Sequence, residues 1–277
     1  MNNFIKIIGL VSLICFSFFY TEKVITVVNE QDEIMVKLND VKDNYKVSCV
    51  DAIIDDDTII PGIKGKEVDV EKSYKEMKEV GQFSQMLFVY KPIELVNSLD
   101  NNYDKYIING NQYKKEVSLV VIVDNDYDVE LIKNINDVSV NIFVDYSVLS
   151  SNLNIFKKNN FSVYSYGDNG IYSDVVLKYS NNLINNNYNK GLYCLVKDKD
   201  VSVIDVCSNN RLHTVLPSLI ISKDLYNKIK NNLSNGLIIL FSLNNKNISE
   251  LKIVSDFINS KGYKIVSLEK LLKEDWH

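Results

Sequence analysis

The stretch EVSLVVIV, Glu116–Val123, constrains the fold more than any other part of the chain. After its first residue it shows almost none of the apolar–polar alternation required of a strand with one wet face. A run of this kind is buried on both faces, as in a parallel sheet covered by helices. VSVNIFV, Val138–Val144, is a second such run, with a helical stretch around Val129–Ile135 between the two. Strands are expected again near Phe161–Tyr164, Leu192–Val196, His213–Leu216, Gly236–Phe241 and Tyr263–Ser267, most of them separated by helical candidates. This alternation predicts a parallel α/β barrel or an open doubly wound sheet, without internal repeats. The closing unit is the clearest. Ile248, Leu251, Val254 and Ile258 share one helical face, Gly262 is placed to stop that helix, and Leu268, Leu271 and Leu272 form a short amphipathic turn.

Upstream the pattern changes. In MNNFIKIIGLVSLICFSFFYTEK, Lys6 precedes an uncharged apolar run, Ile7–Tyr20, closed by Glu22 and Lys23. With Lys6 snorkelling, the membrane-directed segment covers residues 4–21. Bulky aromatics stand where signal-peptide cleavage needs small residues, and Ile14 stands where lipidation at Cys15 needs one. The expectation is therefore an uncleaved single-pass anchor in the cell membrane, cytoplasmic at Met1, with the body extracytoplasmic. A cleaved signal peptide is the alternative and gives the body the same location. After this segment, residues 1–23, comes an expected small α/β module, residues 24–95. It has a helix capped by Asn29, strands at Tyr45–Ile54 and Asp57–Gly65, a helix Val70–Val80 opened by Asp69, and a strand MLFVYKP. Residues 96–115 read as an Asn- and Asp-rich linker, and 116–277 as the second domain.

Hydrophobic residues make up 46% of the chain, enough for a real core. A net charge of -5 without a Lys/Arg-rich run excludes the surface that nucleic-acid binding requires. Of the four cysteines, Cys15 lies in the apolar segment and Cys49 stands alone, which leaves Cys194 and Cys207 as the one pair to consider. Two buried free thiols are the expected state of that pair, although a disulfide is permitted outside the cytoplasm.

Four segments in order resemble the NodB-like polysaccharide deacetylases. VSLVVIV is similar to their first strand, VNIFVD to the second, GLIILFSL to the strand that carries a late catalytic His, and SDFINSKGYKIVSLEKLL to the terminal helix and strand. The resemblance covers Glu116–Leu272 and implies a distorted parallel (β/α) barrel. It also implies a divalent metal, usually zinc, held by an Asp and a His-x-x-x-His pair beside a second Asp acting as base. The residues needed are missing. The chain has two histidines, His213 and His277. The family's two Asp positions align with Ile122 and Val123, its paired histidines with Tyr166 and Gly170, and its late His with Ser242.

Sliding the first strand by two residues brings Asp124 and Asn125 to the paired positions, with Asp126 and Asp128 close behind. DNDYD also imitates the start of a calcium loop, but Val129 and Ile135 occupy the places that need Gly and Glu. His213, at the start of an apolar strand, reads as structural, and Ser242 has no nearby base for a serine hydrolase. Tyr164, Tyr166 and Tyr172 cluster where the family's substrate groove would lie; Tyr164 and Tyr166 are the candidates for stacking on sugar. The expectation is a degenerate, non-catalytic NodB-like domain without a cofactor, binding cell-wall glycan or an envelope protein. The alternative is a divergent deacetylase of N-acetylated glycans, using zinc or another divalent metal with Asp124 and Asp126.

Overall fold

The computed structural model describes residues 11–18, 32–157 and 161–275. Residues 11–18 are helical, and no helix among the described residues is long and apolar enough to cross a membrane. Most of the expected anchor at 4–21 lies outside the described residues, as does Asn29. From Glu33 the chain runs through α1 (Glu33–Val41), β1 (Ile53–Asp55), β2 (Thr58–Ile60), β3 (Gly65–Val68), α2 (Val70–Val80) and β4 (Tyr90–Ile93).

These elements divide between two compact units. The smaller takes α1, β3, α2 and β4; the larger takes Val50–Lys64 and the chain from Leu95 onward. The division differs from the boundaries expected at 24–95 and 96–115 because apolar residues of both intervening stretches, Ile59, Leu99 and Ile107, enter the core of the larger unit. In the smaller unit, Asp32 caps α1, accepting the Ile34 amide N–H at 3.0 Å, and Lys78 on α2 reaches the same carboxylate at 2.9 Å. Leu38, Val68, Tyr74 and Met77 form its core. The strand expected over MLFVYKP starts late, because Gln85–Leu87 is a 3-10 turn, and β4 then pairs antiparallel with β3.

The larger unit continues with β5 (Tyr106–Ile107), β6 (Glu116–Val123), α3 (Asp126–Ile132), β7 (Val140–Val144), α4 (Tyr146–Ser151), β8 (Phe161–Ser165) and α5 (Asp174–Asn187). Then follow β9 (Tyr193–Leu195), α6 (Val201–Asn209), β10 (His213–Val215), β11 (Leu219–Ile221), α7 (Leu225–Asn232), β12 (Ile238–Phe241), α8 (Asn245–Ser260), β13 (Lys264–Ile265) and α9 (Leu268–Leu272). The fold is mixed α/β. Six parallel strands run in the order β11-β12-β6-β7-β8, with β13 also on β6; a second sheet runs β1-β2-β5-β10-β9, parallel apart from the β1–β2 hairpin. Among the described residues no ladder joins β8 to β9 or β10 to β11, so hydrogen bonding does not close the expected barrel.

β6 explains the alternation missing from its sequence. Val117, Leu119, Val121 and Val123 face one core, packed with Leu251, Val254 and Ile258 of α8. Val120 faces the other, with Phe143, Tyr164, Leu195, Val215 and Leu240, and Leu268, Leu271 and Leu272 of α9 pack there as well. Gly262, at φ 79, follows α8 in the left-handed conformation that lets the chain turn into β13.

Candidate functional site

β6 and β12 are hydrogen-bonded neighbours running the same way, so their C-terminal ends open side by side. Asn125 turns the chain from β6 into α3: its side-chain oxygen accepts the Asp128 amide N–H at 3.0 Å. Its amide nitrogen donates to Asp124 at 2.6 Å and to Asp128 at 3.0 Å, which brings two carboxyl groups together. Burial pushes the Asp128 carboxyl up to about 6, and neighbouring Asp124 adds to the shift. After β12, Asn247 in the first turn of α8 donates to the Ser242 carbonyl at 2.8 Å and to the Ser222 carbonyl at 3.2 Å, fixing the strand end where Ser242 is exposed. A cavity of about 260 Å³ lies between these ends, lined by Ile122, Asp124, Asp128, Ser242 and, just past β9, Lys197.

The aligned metal-site positions are apolar or backbone. Ile122 and Tyr166 both pack against the core between the sheets, whereas Val123 is fully buried in the opposite, helix-covered core. Gly170, at φ 80, lets the turn pass close to the Tyr166 ring; a Cβ there would stand 3.1 Å from the phenol oxygen. Burial raises the Tyr166 phenol, with Asp124 contributing. No group of three or more His, Cys, Asp or Glu side chains among the described residues could hold a metal ion. Ile122 and Tyr166 supply no carboxylate or imidazole, so the residues present do not fit the family's zinc.

Several expectations need correction. Asp126 is exposed at the start of α3 and does not line the cavity; Asp124 is brought to Asp128 instead. Tyr164 is 1% exposed, packed on Phe143 at 5.1 Å and Tyr193 at 5.3 Å, so it offers no face to a sugar. Tyr172 is also interior: its hydroxyl accepts the Leu195 amide N–H at 3.0 Å and lies 3.2 Å from the Leu195 carbonyl. Tyr166 remains half-buried, one residue past the end of β8. Cys194 and Cys207 form a disulfide rather than two free thiols, because β9 and α6 pack directly against each other in a shared apolar cluster. His213 is nine-tenths buried, as expected of a structural histidine, yet it lines a separate cavity at the start of β10, far from Ser242. That second cavity, of about 270 Å³, was not anticipated. Its walls come from Tyr103, Tyr193, Arg211, His213 and Glu269, which no local motif connects.

No family model matches the chain. It is 22% identical over 281 residues to the uncharacterized protein YlxY of Bacillus subtilis (strain 168), a match covering 90% of this chain and 86% of that protein. Wild-type BA3943 of Bacillus anthracis, described as a CE4 family pseudoenzyme, matches with a TM-score of 0.64 at 20% identity over 89% of this chain and 97% of that one. A BA3943 mutant with restored enzymatic activity matches equally, at 0.64. The Bc1960 peptidoglycan N-acetylglucosamine deacetylase matches at 0.52 and 14% identity over 62% of this chain and 95% of that one. By fold, the chain resembles the NodB-like superfamily of CE4 polysaccharide deacetylases.

Proposed function

We propose that the protein is a non-catalytic, deacetylase-like protein of the cell envelope. Residues 4–21 anchor it, the body lies outside the cytoplasm, and the cleft at the ends of β6 and β12 binds cell-wall glycan or an envelope partner. The observation that carries this reading is the packing of Ile122 and Tyr166 against the core at positions that align with one of the family's two Asp residues and one of its paired histidines. The likeness in fold to a CE4 pseudoenzyme supports it. The Cys194–Cys207 bond supports an extracytoplasmic body, since such cross-links persist in oxidising compartments. The two sheets share one core, and in this reading they are the two arcs of a distorted barrel.

The purified full-length chain is expected to contain no stoichiometric zinc and to release no acetate from N-acetylated chito-oligosaccharides above the no-enzyme rate. It is also expected to be retained on peptidoglycan, with Tyr166→Ala retained several-fold less, since loss of one stacking ring is worth on the order of 1 kcal/mol. A second reading, a divergent deacetylase, is favoured by the Asp124–Asp128 pair in the cavity. One zinc per chain, lost in Asp124→Ala together with acetate release, would establish that reading and remove the first.

A further inference from the structure

The chain contains a single arginine, Arg211, among 31 basic side chains. It stands at the stop of α6. The Arg211 N–H donates to the Ser208 carbonyl and the Leu212 N–H to the Cys207 carbonyl, each at 2.9 Å, and Arg211 itself has φ 54. These paired bonds make a Schellman stop, whose left-handed position normally belongs to glycine. A side chain there is strained relative to glycine. The backbone alone therefore argues against arginine at this position. Its side chain, however, lines the cavity of about 270 Å³ at the starts of β9 and β10.

The walls of that cavity are built. His213 stacks on Tyr103 with ring centroids 4.3 Å apart and planes within 10°. Its Nδ1 is sealed without a partner, and its Nε2 faces Asp100 at 3.9 Å. Burial draws the imidazole down to about 4, so at neutral pH it contributes a flat surface and an N–H instead of a charge. Several neighbouring charges are already engaged. Glu274 accepts backbone N–H groups of Gly62 at 3.0 Å and Leu99 at 3.1 Å, and Lys273 pairs with Asp275 at 3.1 Å. Arg211 and Glu269 are exposed, and neither has an ion-pair partner among the described residues. Opposite charges that line one cavity without meeting are suited to a molecule carrying both complements.

We propose that this cavity binds a small zwitterion of amino-acid or dipeptide size, with its carboxylate on the Arg211 fork, its ammonium towards Glu269 and the Tyr103–His213 stack as a wall. The planar guanidinium grips a carboxylate through two parallel hydrogen bonds, which lysine does not reproduce. The volume, about 270 Å³, lies just below the usual range for ligand pockets, about 300–1,000 Å³, and suits a small occupant.

Calorimetric titration of the full-length protein with glycylglycine tests the proposal, with N-acetylglycylglycine lacking the ammonium and glycylglycinamide lacking the carboxylate. Glycylglycine should bind and each capped form should lose at least tenfold in affinity. Arg211→Gly relieves the left-handed turn, so it should keep or raise the melting temperature while losing glycylglycine binding at least tenfold. Arg211→Lys should recover only part of that loss. Glu269→Gln should weaken glycylglycine and leave N-acetylglycylglycine unchanged. No binding of millimolar glycylglycine, equal binding of the capped forms, or a folded Arg211→Gly that binds like wild type would each overturn the proposal. None of these readouts depends on the Asp124–Asp128 cleft.

Discussion

β9 joins two cavities of different character. Tyr193 opens the strand and lines one; Lys197, just past its end, lines the other. At the cavity by the strand ends, Ile122 and Tyr166 pack against the core between the sheets, and two carboxyls, Asp124 and Asp128, are drawn together by Asn125. The cavity at the strand starts has a strained turn, a stacked histidine and two charges without ion-pair partners among the described residues. One end of the strands thus gathers carboxyls and the other carries a residue in a costly backbone conformation, the kind of feature that clusters at binding sites.

The comparison is broken most forcefully through the disulfide. Cys194 lies beside Tyr193 and Cys207 lies in α6, whose stop carries Arg211, so the bond braces the starts of the strands. Cys194→Ala with Cys207→Ala should cost about 3 kcal/mol, given the loop of this length, measured as a shift in the urea midpoint. Loss of the glycylglycine response at denaturant levels where Tyr166-dependent glycan retention persists would sharpen the contrast; equal loss of both would erase it.

pH provides the next test, because the two cavities carry opposite dependences. Between the ordinary histidine range and about 4, the unfolded chain binds a proton that buried His213 does not. Stability should therefore fall as pH drops through that window, by on the order of 2 kcal/mol. His213→Phe should flatten that fall. Asp128 behaves inversely: the folded chain holds a proton up to about 6 that the unfolded chain has already lost, so its stabilisation is present at low pH and disappears as pH rises to that value. The site is partly open to solvent, so screening reduces the effect to about 1 kcal/mol. Chemical denaturation of Asp128→Asn across pH 4–7 should show that slope removed; an unchanged slope would mean that burial does not raise the Asp128 carboxyl. Smallest of all, Arg211→Gly should stabilise the chain by about 0.5–1 kcal/mol in the same assay, the reverse of what loss of a structural salt bridge would give.

The sequence reveals most where periodicity is enough. β6, the face of α8 and the stop at Gly262 lie where the apolar pattern puts them. The depth of a side chain along a strand is harder to read. Tyr164 and Tyr166 point to the same side, but Tyr164 lies inside β8, against Phe143, and Tyr166 lies one residue past its end. The choice of Asp128 over Asp126 depends on how Asn125 winds the first turn of α3. The second cavity gathers residues from five distant segments and leaves no local signature.

The Cys194–Cys207 bond also bears on the order in which the chain is made. Its partners are 13 residues apart, and short loops close at the least entropic cost. As the chain emerges from its N-terminus, both thiols are present before β10, β12 and α9 exist. In an oxidising environment the β9–α6 corner can be tied covalently while the strands that will flank it are still unmade, so later pairing has to fit a corner already fixed. If that order is disturbed, as by synthesis under reducing conditions, the defect should appear first in the turn that presents Arg211.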